Sequence, residues 1–201
     1  MNILFLDQYS EIGGAQACLL DLLPALQARG WSAHVAVPGN GPLVGRLRAM
    51  GVAVHEIPCG RYRSGAKSFV DFLRFPLDLA RQVRVIRRLM SQTPFDLVYV
   101  NGARLLPAAA IAVGVHIRVV LHVHWRYRGA AGWMTRWGIR RSDAYVIGCC
   151  RYVIQDMAEA RVHVIPNGVA DCSFRLRAFA SHNFRIGIIG RTASEKGQVD
   201  F

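Results

Sequence analysis

Residues 2–37 read N-I-L-F-L-D-Q-Y-S-E-I-G-G-A-Q-A-C-L-L-D-L-L-P-A-L-Q-A-R-G-W-S-A-H-V-A-V. Asn2 to Leu6 is a short, unbroken apolar run, which suits a central parallel strand buried on both faces. Asp7 to Gly14 is a polar loop ending in Gly13-Gly14. Ala15 to Arg29 has helical period, with Ala17, Leu20, Leu23 and Leu26 on or near one face. Gly30 ends that helix, and Trp31 to Val37 is the next strand. Together these make a βαβ unit. The dinucleotide fingerprint G-x-G-x-x-G is absent. Gly13-Gly14 still lets backbone come close to a ligand at a helix N-terminus; a tight turn without a ligand is the alternative.

The same alternation runs on through the chain. Leu43 to Met50 reads as a short helix and Val52 to Ile57 as a strand. Ser68 to Met90 is a long helical stretch in which Pro76 predicts a kink or a division into two helices. Phe95 to Val100 is a strand, Arg104 to Val115 an Ala-rich buried helix, and Ile117 to His124 a further strand. This reading assigns no element to residues 125–142. Asp143 to Ile147 is a strand, Cys150 to Ala158 a short helix, and Val162 to Ile165 a strand. The pattern predicts an α/β, Rossmann-like, doubly wound parallel sheet. Ligands of such sheets bind beyond the carboxyl ends of the strands. That rule gathers Gly13, Gly14, Asn101, Gly102, His122, His124, Cys149, Cys150, Asn167 and Gly168 at one edge.

Over half the residues are apolar and 19% are charged, which indicates a packed core and excludes a disordered tail. The net charge is +12, carried almost wholly by Arg. A basic balance implies an acidic partner: nucleic acid, an anionic membrane or a phosphorylated substrate. The Arg residues are scattered and form no nucleic-acid-binding motif, so no nucleic-acid partner is expected. Five cysteines without metal-type spacing point to reduced thiols and a cytoplasmic setting. The first apolar run is too short for a signal peptide, and Leu105 to Val115 is about half a membrane span. Arg61, Arg63 and Lys67 make a basic loop suited to an anionic acceptor or to membrane headgroups; ordinary solvated surface is the alternative. The basic side of the Ser68–Met90 helix poses the same choice between anionic lipid and plain solvent.

His122 and His124 lie two apart in R-V-V-L-H-V-H-W and so share one strand face. Three readings stand. They form a metal pair, although no third ligand stands nearby in sequence. They are strand-end histidines satisfied by backbone. Or they line a cleft, where they hydrogen-bond a substrate and steady charge in a transition state.

The tail carries the most specific motifs. Residues 161–174 read R-V-H-V-I-P-N-G-V-A-D-C-S-F, and residues 184–201 read F-R-I-G-I-I-G-R-T-A-S-E-K-G-Q-V-D-F. Arg191 and Lys196 then sit on one loop between a strand end and a helix start, which suits a diphosphate. The paired Pro166-Asn167-Gly168-Val169 and Gly190-Arg191…Glu195-Lys196-Gly197 motifs resemble the two-domain GT-B glycosyltransferases of group 1, or family 4. The resemblance implies that residues 1–180 are the N-terminal, acceptor-side domain. Residues 181–201 would be the linker and opening strand and loop of a truncated nucleotide-sugar-binding domain, which needs on the order of 150 or more residues. It implies transfer of a sugar from a nucleoside diphosphate sugar to a hydroxyl acceptor, with retention and with no metal or other cofactor. Gly13, Gly14, Arg191 and Lys196 would hold the donor phosphates, and His124, with His122 as second choice, would serve catalysis. Asn101, Arg61, Arg63 and Asn167 would line the acceptor side of the cleft.

Three positions depart from the family pattern: Trp125 stands where an acid is expected, Cys150 where serine is usual, and Ala170 where Asp is typical. The partners implied are a nucleotide sugar, a glycan or lipid-linked acceptor, and an anionic membrane at its inner face. The pathway implied is synthesis of a polysaccharide, another glycan or a glycolipid. Residues 1–201 alone are expected to show no turnover. A sugar-nucleotide epimerase of the same fold and a non-enzymatic ligand-binding domain are the rival readings.

Overall fold

The computed structural model describes residues 1–60, 69–113, 117–157, 161–168 and 187–188. Met1–Gly168 form one compact unit. The boundary expected between residues 180 and 181 lies outside the described residues, as do Arg61, Arg63, Lys67, Arg191 and Lys196.

Seven strands form one sheet: β1 (Asn2–Asp7), β2 (Ser32–Val37), β3 (Ala53–Glu56), β4 (Leu97–Asn101), β5 (Arg118–Val123), β6 (Tyr145–Gly148) and β7 (Arg161–Val164). Their order is β3-β2-β1-β4-β5-β6-β7, and every pairing is parallel. The chain therefore winds outward from β1 to β3, then returns to lay β4 on the other side of β1. Both expected features, the doubly wound order and the parallel sheet, are present. The helices are α1 (Gly14–Gln27), α2 (Pro42–Ala49), α3 (Phe69–Gln92), α4 (Leu106–Val113), α5 (Gly129–Ser142) and α6 (Arg151–Ile154).

The two sheet faces build two cores. Ile3, Phe5, Val35 and Tyr99 pack with Leu19, Leu23 and Leu26 of α1 and with Leu43 and Leu47 of α2. Leu4, Leu6, Val98, Val100, Leu121 and Val146 face the other way, onto Val83, Ile86 and Leu89 of α3, the Ala-rich α4 and Ile139 of α5. Between its polar ends β1 is apolar at every position, Ile3 to Leu6, because it feeds both cores.

Of the two outcomes expected at Pro76, a kink or a division, the helix is not divided: Phe69–Gln92 is continuous with Pro76 inside it. Residues 125–142 are not without structure: they contain α5. Its buried positions are Gly132, Thr135, Gly138, Ile139 and Ser142, while Trp133 and Trp137 lie outside. Small residues within and indoles without invert the pattern by which an amphipathic helix is recognised. Gly138 permits the close approach of α5 to α4, since a Cβ there would lie 2.8 Å from Leu106 Cδ2. Asp143, read as the first residue of a strand, instead closes α5 in a left-handed conformation with φ 47°.

Candidate active site

The strand order reverses between β1 and β4, and polar residues replace apolar ones there. In register, Asp7 lies opposite Asn101, and Asn101 opposite His122. These side chains leave the same sheet face, and His124 follows on that face two residues later. One connected network results. Asp7 is fully buried. Its Oδ1 accepts from the Tyr9 N–H at 2.9 Å and from Gln16 Nε2 at 2.8 Å. Its Oδ2 accepts from Asn101 Nδ2 at 2.6 Å. Burial pushes the Asp7 carboxyl above its ordinary range, and these donors oppose the shift. Gln16 Oε1 in turn accepts from the Gly13 N–H at 3.2 Å, which fixes the start of α1 to the network.

This arrangement sets the proton position on His124. Asn101 Nδ2 donates to the Asp7 carboxylate and, at 3.2 Å, to the Ala15 carbonyl. Neither partner can donate, so the Asn101 amide oxygen must face His124. His124 Nε2, 2.8 Å from that oxygen, is therefore the protonated nitrogen, and Nδ1 is the acceptor. Tyr99 O lies 2.7 Å from His122 Nδ1. Burial raises the Tyr99 pKa, so the neutral phenol is one partner of that hydrogen bond and the His122 ring the other. Burial and the neighbouring His124 lower the His122 pKa to about 4, and burial lowers that of His124. Both rings are neutral at pH 7. Their centroids are 3.9 Å apart.

His122 Nε2 and His124 Nδ1 are buried and find no partner among the described residues. Among the described residues no backbone group pairs with either atom. Among the described residues, no group of three or more His, Cys, Asp or Glu is arranged to hold a metal.

The remaining expected residues divide. Gly102 follows Asn101 with φ 95°, a conformation that favours glycine, and a Cβ there would press on the Gln8 side chain at 3.1 Å. Its N–H donates to the His122 carbonyl at 3.0 Å, which ties the ends of β4 and β5 together. Gly13 is the N-cap of α1, and Gly14 is its first residue. Asn167 is exposed and follows β7, the outermost strand, three strands from β4. Asp7, Gln16 and Tyr99 were missed by sequence reasoning. Asp7 alone left a trace, as the charged residue that closes an otherwise apolar run.

A parallel sheet with its strand order reversing at β1 and β4 defines a Rossmann-like domain. A model described as Glycosyltransferase Family 4 matches residues 12–171, and the chain belongs to that family. Among solved structures, it is similar to HepE of Anabaena in complex with UDP-glucose, with a TM-score of 0.63 and 23% identity over 84% of this chain and 44% of that one. It is also similar to MurG of Acinetobacter baumannii, with a TM-score of 0.59 and 16% identity over 85% of this chain and 46% of that one. The lipopolysaccharide outer core galactosyltransferase WaaB gives a TM-score of 0.58 and 13% identity over 85% of this chain and 46% of its own. At these identities the likeness is one of fold. The chain spans less than half the length of these three proteins. No curated protein matches the sequence.

Proposed function

We propose that this chain supplies the acceptor-side domain of a glycosyltransferase that moves a sugar from a nucleoside diphosphate sugar to a hydroxyl acceptor, with retention. The observation that carries the reading is the polar network at the ends of β1, β4 and β5, in which Asp7 and Asn101 hold His124 beside His122. Transfer of a sugar demands recognition of hydroxyl groups, and a neutral imidazole pair does this without adding charge. His124, with His122 beside it, contacts a hydroxyl of the sugar or acceptor, and Asp7 with Asn101 holds the His124 ring in one tautomer. As the diphosphate leaves, negative charge grows on it, and Arg191 and Lys196 are the cations the motif assigns to it. Gly13 and Gly14 offer backbone N–H groups at the start of α1. No metal or other cofactor takes part. The acceptor is a glycan or lipid-linked hydroxyl, and the reaction takes place at the cytoplasmic face of an anionic membrane, in synthesis of polysaccharide or glycolipid. The charge of +12 supports an anionic setting. Among the described residues no helix is long and apolar enough to cross a membrane.

Imidazole NMR on this chain tests the site. UDP-glucose or octyl glucoside is expected to move the His122 and His124 ring resonances while leaving exposed His163 unmoved. Shifts confined to His163 would refute the histidine pair as the hydroxyl site.

A further inference from the structure

The layer of helices on the α3–α4–α5 side of the sheet has an unusual outer surface. Trp133 and Trp137 of α5 stand one turn apart, 63% and 37% exposed. The buried positions Gly132, Thr135, Gly138, Ile139 and Ser142 mark the opposite side of the helix, so both indoles lie at the middle of the solvent face. Arg136 and Arg141 flank them, and α5 contains no acidic residue. Across α4, which packs against both helices, α3 exposes Arg81, Arg84, Arg87 and Arg88. Val83, Ile86 and Leu89 of α3, α4 and Ile139 of α5 share a single core, so these helices cover the same face of the sheet. Arg87 also reaches across to the Ile111 carbonyl of α4 at 3.3 Å. Asp71 and Asp78 of α3 are the only acids in the three helices.

Charge alone does not choose a partner, and an exposed Arg helix is ordinary. Exposed tryptophans at the centre of a cationic face are not. Indoles favour the boundary between headgroups and acyl chains, and Arg adds attraction to anionic lipid. A helix of this length lies flat along about 20 Å of surface. We propose that the outer surface of α3 and α5 binds an anionic bilayer, with Trp133 and Trp137 seated at the interface. The sheet then lies parallel to the membrane, and its strand ends open sideways along it, where a lipid-linked hydroxyl is within reach. The proposal rests on the functional reading for its class of partner only. It does not require sugar transfer to occur.

The test is flotation of the protein with phosphatidylcholine vesicles, with and without phosphatidylglycerol, and no sugar donor present. Binding is expected only with phosphatidylglycerol, together with a blue shift of indole emission. Replacing both Trp133→Ser and Trp137→Ser is expected to abolish the shift and weaken binding. Arg84→Gln and Arg141→Gln are each expected to lower partition roughly fivefold. All four positions face outward, and a far-ultraviolet spectrum checks that the fold survives. Absence of binding to phosphatidylglycerol vesicles would overturn the proposal, as would binding indifferent to the Trp pair. Self-association lost in the Trp variant, without vesicle binding, would instead make this face an interface between copies. A separate donor assay reports on sugar transfer, so the two readings can fail independently.

Discussion

Asp7 is the residue on which the site's geometry depends. Its two oxygens accept three hydrogen bonds in a fully buried position. Asp7→Asn removes no volume, but it sets an amide NH2 against either Tyr9 and Gln16 or Asn101, all of which donate. We expect a loss of about 1–3 kcal/mol in urea denaturation, the cost of an unsatisfied buried donor. An unchanged midpoint would contradict the network. The histidines predict how stability varies with pH. Burial depresses the His122 and His124 pKa values in the fold, so their contribution is present above the ordinary histidine pKa of 6.5. It is lost as pH falls through the folded value, about 4 for His122. His34 and His55, 3.0 Å apart on β2 and β3, are depressed too and act in the same direction. Stability should therefore fall between pH 6.5 and about 4, and His122→Phe should flatten part of that slope. The histidines were legible from their spacing alone, since a period of two fixes a shared face. The tautomer of His124 was not, because Asp7 reaches His124 through Asn101, a residue 94 positions away in sequence from Asp7.

Among the elements, β1, β4 and β5 needed little beyond hydrophobic patterning to be found, because the middle of a strand that feeds two cores is an unbroken apolar run. The parallel, doubly wound sheet was a rule-based inference, and the observed strand order bears it out. α5 was invisible for a physical reason: contact through Gly132, Gly138 and Ser142 gives a buried face with no apolar period. That reasoning predicts the effect of filling the contact. Gly138→Val forces branched carbons onto Leu106 and should cost about 1–3 kcal/mol, the usual penalty of overpacking, despite glycine's poor helix propensity. A stabilised variant in thermal unfolding would mean that α4 and α5 pack less closely than described. Gly102→Ala belongs to the same scale. It places a Cβ at φ 95° against Gln8, and a loss of about 1–3 kcal/mol is expected for that backbone conformation.

At the scale of the whole molecule, two surfaces differ in chemistry. The strand ends gather neutral polar groups suited to hydroxyls, and the α3–α5 layer gathers Arg and Trp suited to anionic lipid. The sugar transfer proposed for this chain takes place at the first. The central claim is that His124 acts on a hydroxyl in that transfer. Its most direct test is nucleoside diphosphate release from UDP-, GDP- and dTDP-sugars with octyl glycosides as acceptors, run on the natural protein that carries these residues. One donor should support transfer, and His124→Ala should lower kcat roughly 10²–10³-fold, as removal of a transition-state contact does, with donor affinity retained. Transfer undiminished in His124→Ala would contradict the account.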